Sequence, residues 1–125
     1  MIILHVDDDQ GIRALTELAF SLGGHGTVRS AASGAEAISA LEAGLRPDVI
    51  LLDVMMPELD GPGVLTQIRK LHGHFETPVI FMTAQTQDHE LSRLVALGSI
   101  GVIIKPFDPI ELPGHVKGLL GDDVA

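Results

Sequence analysis

Five times along the chain, a short apolar run is followed by a segment whose apolar residues recur every three or four positions. A strand covered on both faces reads as an unbroken apolar run, whereas an amphipathic helix reads with a period of about 3.6 residues. Their alternation describes successive βα units wound around a parallel sheet. The expected strands are Ile2–Val6, Thr27–Ala31, Asp48–Leu52, Pro78–Met82 and Ile100–Ile104. Val49-Ile50-Leu51-Leu52 shows no alternation at all, which places the third strand at the centre; Thr27–Ala31 is the weakest of the set.

Punctuation residues mark the helices. Ile12, Leu15, Ala19 and Leu22 form the stripe of the first, which stops at Gly23-Gly24. Ser33 followed three residues later by Glu36 has capping-box spacing, with Ala37, Ile38 and Leu41 as the stripe and Gly44 as the stop. Pro62 opens the third helix, where the first N–H groups lack intrahelical acceptors anyway, and Val64, Leu65, Ile68 and Leu71 give its apolar face. The fourth runs from about Asp88 to Leu97 and closes at Gly98. For the last helix the expectation is Asp108 as N-cap, Pro109 at the first position and Glu111 at the third, with Leu112, Val116, Leu119 and Leu120 inward. Pro113 lies one turn inside that helix, and Gly114 and Gly118 each cost about 1 kcal/mol relative to Ala, so a kinked or frayed final helix is expected.

Length and composition narrow the function. At 125 residues and 46% hydrophobic, the chain suits one domain with one closed core. Its apolar runs are far shorter than the roughly 20 residues a spanning helix needs, so no membrane association is expected. The N-terminus has no basic lead, and Asp7 to Asp9 arrive too early for a signal peptide's apolar region, so the chain is expected to be cytoplasmic. The absence of cysteine removes disulfides, thiolate zinc sites and thiol catalysis. A formal charge of -9 without any Lys/Arg cluster would repel a phosphate backbone, and direct nucleic-acid binding is not expected.

In an open parallel sheet, ligands bind beyond the carboxyl ends of the strands. Four of the five runs end in reactive side chains: Asp7, Asp8 and Asp9 after the first, Asp53 after the third, Thr83 after the fourth and Lys105 after the fifth. Clustered carboxylates repel, and a hard divalent ion such as Mg2+ removes that cost while leaving coordination positions for phosphoryl oxygens. A carboxylate beside such an ion can act as a nucleophile toward phosphorus, which makes Asp53 the candidate acceptor. An ammonium and a hydroxyl meet the charge on the phosphoryl oxygens, roles that suit Lys105 and Thr83. Asp9 alone reads equally as a helix cap, and His72-x-His74 as a polar helix end rather than a metal pair.

Val6-Asp7-Asp8, Asp53 to Pro57 with Asp60-Gly61, Thr83-Ala84 and Lys105-Pro106-Phe107, in that order at strand ends, resemble the receiver domains of bacterial two-component response regulators. The resemblance covers nearly the whole chain. It implies a flavodoxin-like, doubly wound α/β fold with a five-stranded parallel sheet in order 2-1-3-4-5 and helices on both faces. It further implies that Asp53 takes a phosphoryl group from a sensor histidine kinase or a phosphotransfer protein and thereby alters the surface offered to a downstream protein. Asp8, Asp53 and the Met55 backbone carbonyl are the implied Mg2+ ligands, with Asp7 assisting through water. Thr83 and Lys105 are implied to contact the phosphoryl group, and the peptide before Pro106 to be cis.

Residues 1–125 are expected to form one receiver domain without an output domain, a switch rather than an enzyme acting on other molecules. The chain departs from the family where an aromatic often reports phosphorylation, since Val102 stands there. The signal is therefore expected to leave through the loop after Thr83 and the fourth helix. Met55 and Gln85, neither acidic, occupy the two rim positions that tune phosphoryl lifetime in receivers. Two alternatives compete: a phosphate-independent binding module of the same fold, and a hydrolase of the haloacid-dehalogenase type using Asp7 and Asp9.

Overall fold

The structure, a computed structural model, describes residues 1–24, 26–74 and 76–121. Strands and helices alternate throughout: β1 (Ile2–Val6), α1 (Gln10–Gly23), β2 (Thr27–Ala31), α2 (Gly34–Glu42), β3 (Val49–Asp53), α3 (Gly61–Lys70), β4 (Val79–Thr83), α4 (Asp88–Ala96), β5 (Gly101–Ile104) and α5 (Leu112–Leu120). The strands form one parallel sheet in the order β2-β1-β3-β4-β5. This is the flavodoxin-like arrangement, as expected. The chain winds outward from β1 to β2 and then returns to β3 on the other side. That reversal opens a crevice above the carboxyl ends of β1 and β3.

Strand alternation divides the core in two. Leu4, Val6, Ile50, Leu52 and Phe81 point to the face covered by Ala37 and Leu41 of α2, Val64, Leu65 and Ile68 of α3, and Leu94 of α4. Ile3, Val49, Leu51, Ile80, Met82 and Ile103 point the other way, against Ala19 and Phe20 of α1 and Leu112 and Val116 of α5. Every residue of β3 and β4 is buried, which explains their unalternating sequences. Each large side chain removed from water in this way contributes about 1.5–3 kcal/mol.

Several boundaries and faces differ from expectation. β3 and β4 are shifted one residue forward, because the ladder continues to the Asp53–Met82 pairing; Asp48 lies before the strand, where its Oδ2 accepts from the Ile2 amide at 2.6 Å. On α1 the buried residues are Thr16, Ala19 and Phe20, whereas Leu22 is 74% exposed. The inward stripe is rotated from the one the leucines suggest, since Phe20 fills the space over Ile3 and the helix turns about 100° per residue.

α5 is unbroken over Leu112–Leu120: it begins at Leu112, so Pro113 sits in its first turn, where the missing N–H removes no helical bond. Asp108 caps the turn ahead of it instead, accepting from the Ile110 amide at 2.8 Å. The helix ends at Gly121, whose φ is 77°. His74 likewise is no solvated helix end; it is buried, with Nδ1 at 3.1 Å from Thr77 Oγ1.

Candidate functional site

The strand-end residues converge. Asp7 follows β1, Asp53 and Thr83 are the last residues of β3 and β4, and Lys105 follows β5. Parallel register aligns them: Asp53 pairs with Met82 and Thr83 with Ile104, and the Lys105 amide donates to the Thr83 carbonyl at 2.8 Å. Asp7, Asp53 and Thr83 are buried, while Asp8 is exposed. Carboxylate oxygens of Asp7, Asp8 and Asp53 lie within 4.8 Å of one another, the one such acidic group among the described residues.

Lys105 spans two of these acids, with Nζ donating to Asp53 Oδ1 at 2.9 Å and to Asp7 Oδ2 at 3.1 Å. Burial lowers the Lys105 pKa, but the hydrogen bond and charge of Asp53 and the proximity of Asp7 outweigh it, and the net direction is upward. Asp53 is pushed above the usual carboxylate range, first by burial and then by the charges of Asp7 and Asp8, against the lowering effect of Lys105. One cation does not neutralise three carboxylates. That imbalance, with oxygen as the only ligand type, suits a hard divalent ion in this group.

Thr83 Oγ1 accepts from the Gln85 amide at 3.0 Å, so its hydroxyl is oriented by the loop that follows β4. Met55 lies in the β3–α3 loop with its side chain 70% exposed at the rim, and Met56 packs against the core. The Lys105–Pro106 peptide is cis, as anticipated. Asp9 is the N-cap of α1, its Oδ1 accepting from the Gly11 and Ile12 amides at 2.8 and 3.2 Å. It therefore stands apart from the acidic group, in the capping role, and the dehalogenase alternative lacks its second acid. Asp60 similarly caps α3, accepting from the Gly63 amide at 2.9 Å.

Two contributors went unnoticed in the sequence. Arg13 reaches back from α1 to hold the Asp7 carbonyl at 2.7 Å. His5 is fully buried behind Asp7, its Nε2 at 4.0 Å from Asp7 Oδ2. Burial, against the opposing pull of Asp7, lowers its pKa to about 4, so the ring is neutral at physiological pH. The available signal for His5 was its parity: it lies two residues before Asp7 on the same face of β1.

The same arrangement marks a known family. Residues 3–117 match the response regulator receiver domain. The chain belongs to that family. Receivers are signalling modules of two-component systems rather than classical enzymes, and they typically bind Mg2+ at an acidic cluster. The probable transcriptional regulator ycf27 of Porphyridium aerugineum is 36% identical over 94% of this chain, and the response regulator SaeR of Staphylococcus aureus is 35% identical over the same share. The chain spans about half the length of these relatives, 47% and 50% respectively. Among solved structures, the Vibrio cholerae chemotaxis protein CheY4 superposes with a TM-score of 0.86 at 30% identity, covering 94% of this receiver and 97% of that chain. The Francisella response regulator 1452 receiver domain superposes at 0.84 with 31% identity, covering 97% of each. No helix among the described residues is long and apolar enough to cross a membrane.

Proposed function

We propose that Asp53 accepts a phosphoryl group from the phosphohistidine of a sensor histidine kinase or phosphotransfer protein, and that the change is read by a downstream protein. The observation that carries this reading is Lys105 Nζ lodged between Asp53 and Asp7, in a group of three carboxylates. Asp8, Asp53 and the Met55 carbonyl would hold Mg2+, with Asp7 assisting through water; the ion would neutralise charge on the phosphoryl oxygens. Asp53 Oδ1 is engaged by Lys105, which leaves Oδ2 to attack phosphorus as the P–N bond to the donor imidazole breaks. Lys105 and Thr83 then stabilise the transferred oxygens.

Intact-mass measurement tests this reading. After incubation with Mg2+ and a small acyl phosphate, wild type gains one phosphoryl group and Asp53→Asn gains none; an unmodified wild type supports the phosphate-independent alternative. Met55 and Gln85 at the rim set the lifetime of the phosphorylated form. Met55→Asn and Gln85→Glu should change the dephosphorylation rate severalfold, about 1 kcal/mol in barrier. Rates equal to wild type in both would refute their role.

A further inference from the structure

Three buried side-chain atoms have no hydrogen-bond partner among the described residues: Nδ1 and Nε2 of His5, and Oγ1 of Thr16. Both residues are fully buried. An unpaired buried donor or acceptor costs about 1–3 kcal/mol, and folded proteins pair nearly all of them.

Topology places these atoms in one layer, between β1 and α1. Ile3 and His5 share a face of β1 by alternation, and Ile3 packs with Ala19 and Phe20 of α1. α1 runs antiparallel to β1, as a βα crossover requires. Moving from Ile3 to His5 advances roughly 7 Å toward the carboxyl end of the sheet. Moving from Phe20 back to Thr16 advances roughly 6 Å in the same direction. Thr16 is thus level with His5, on the helix that covers it.

The three atoms are also complementary in kind. A neutral imidazole offers one donor and one acceptor, and a hydroxyl offers a donor. His5 Nε2 faces Asp7 Oδ2 at 4.0 Å, about 1 Å beyond hydrogen-bond length. The other Asp7 oxygen already accepts from the Asp9 amide at 2.9 Å, and Lys105 at Oδ2 is shared with Asp53. The group that could hold Oδ2 from beneath is His5.

We propose that Thr16 and His5 form a prop behind Asp7 that is open in the metal-free chain and closes by a shift of about 1 Å when Asp7 engages a divalent cation, the Thr16 hydroxyl then donating to His5 Nδ1 and His5 Nε2–H to Asp7 Oδ2, so that the prop positions the Asp7 carboxylate. It rests on the reading of Asp7, Asp8 and Asp53 as the metal site. Both are positioning residues: neither touches the metal or the phosphoryl group. Partners behind metal-binding groups typically matter 10–100-fold in affinity.

Calorimetric titration of Mg2+ into the unphosphorylated chain tests the prop. His5→Leu should bind about 10-fold more weakly, while His5→Gln, which restores a donor near Nε2, stays close to wild type. Thr16→Val should lose about threefold, as one neutral hydrogen bond removed. The double variant should be no weaker than His5→Leu, because Thr16 acts through His5. Melting in EDTA separates the prop from a merely structural role: His5→Leu removes unpaired polar atoms and should keep or raise the midpoint. Unchanged affinity in His5→Leu, or multiplied losses in the double variant, overturns the proposal. Absence of Mg2+ binding by wild type overturns the metal reading and the prop together. Should His5→Leu fail to fold, the long-range 1H–15N spectrum of wild type decides: a proton on His5 Nε2 supports the prop, and one on Nδ1 overturns it.

Discussion

Asp53 is held in a state that is unfavourable until something neutralises it. Burial and the charges of Asp7 and Asp8 raise its pKa above the ordinary carboxylate value despite Lys105. Between those two values the folded state binds more protons than the unfolded one, so this carboxyl's contribution falls as pH rises through the window. In EDTA at pH 7, Asp53→Asn should therefore melt a few degrees higher than wild type, about 3–6 °C per kcal/mol in a domain of this size. The gap should narrow as pH is lowered toward 4; an Asn variant that melts lower at pH 7 would contradict it. Glu58, in the same loop as Met55, adopts a φ of 68°, in the left-handed region. A side chain there costs about 1–2 kcal/mol, against about 0.5–1 for glycine's extra chain entropy. Glu58→Gly should accordingly gain about 0.5–1 kcal/mol in urea unfolding.

Among the helices, α4 is the least anchored, with Leu94 as its one fully buried residue and Val95 and Leu97 exposed. Its N-terminus has no side-chain cap, and residues 84–87 ahead of it, like its own first two residues, are all exposed. Few buried contacts mean a low free energy of local opening. Thr83 ties this loop to the site through the Gln85 amide. Val102, in place of a mobile aromatic, packs against the core on the α4 side. These features favour α4 and its leading loop as the outlet of the signal. Phosphorylation should change amide hydrogen exchange in residues 84–97 about 10-fold or more while leaving α2 unaffected, a shift of about 1.4 kcal/mol in opening. Equal exchange in both states would exclude this route. α3 contrasts with α4, being capped by Asp60 and packed through Val64, Leu65 and Ile68. Its start is fixed by contact: a Cβ on Gly61 would meet the Asp53 carbonyl oxygen at 2.5 Å.

Across the molecule, a formal charge of -9 acts together with the acidic group at the sheet's carboxyl edge. A cation that binds only the folded state stabilises it by about 2.7 kcal/mol at 100 times its dissociation constant. Millimolar Mg2+ should raise the melting midpoint of wild type by several degrees, and Asp8→Asn should abolish most of that rise. NaCl at equal ionic strength, which only screens, should not reproduce it. A similar rise in Asp8→Asn would place the ion elsewhere.

The alternation of runs and stripes in the sequence was enough to determine a parallel sheet of βα units and the four strand ends that carry Asp7, Asp53, Thr83 and Lys105, because strand burial and helix amphipathicity write their periods directly into the chain, whereas the order of the strands followed from the resemblance to receivers. Asp9's role as a cap was one of two open readings, and α1's amides closed it. Tertiary structure alone decided what depends on how an element is rotated and where it begins. Leu22 faces solvent and Phe20 the core because packing over Ile3 sets the rotation of α1. Pro113 opens α5 because Asp108 turns the chain before the helix starts. His5 looked like one more residue of an apolar run; only the burial of both its ring nitrogens behind Asp7 sets it apart, since hydrogen-bond satisfaction is a property of three-dimensional neighbours that no local pattern records.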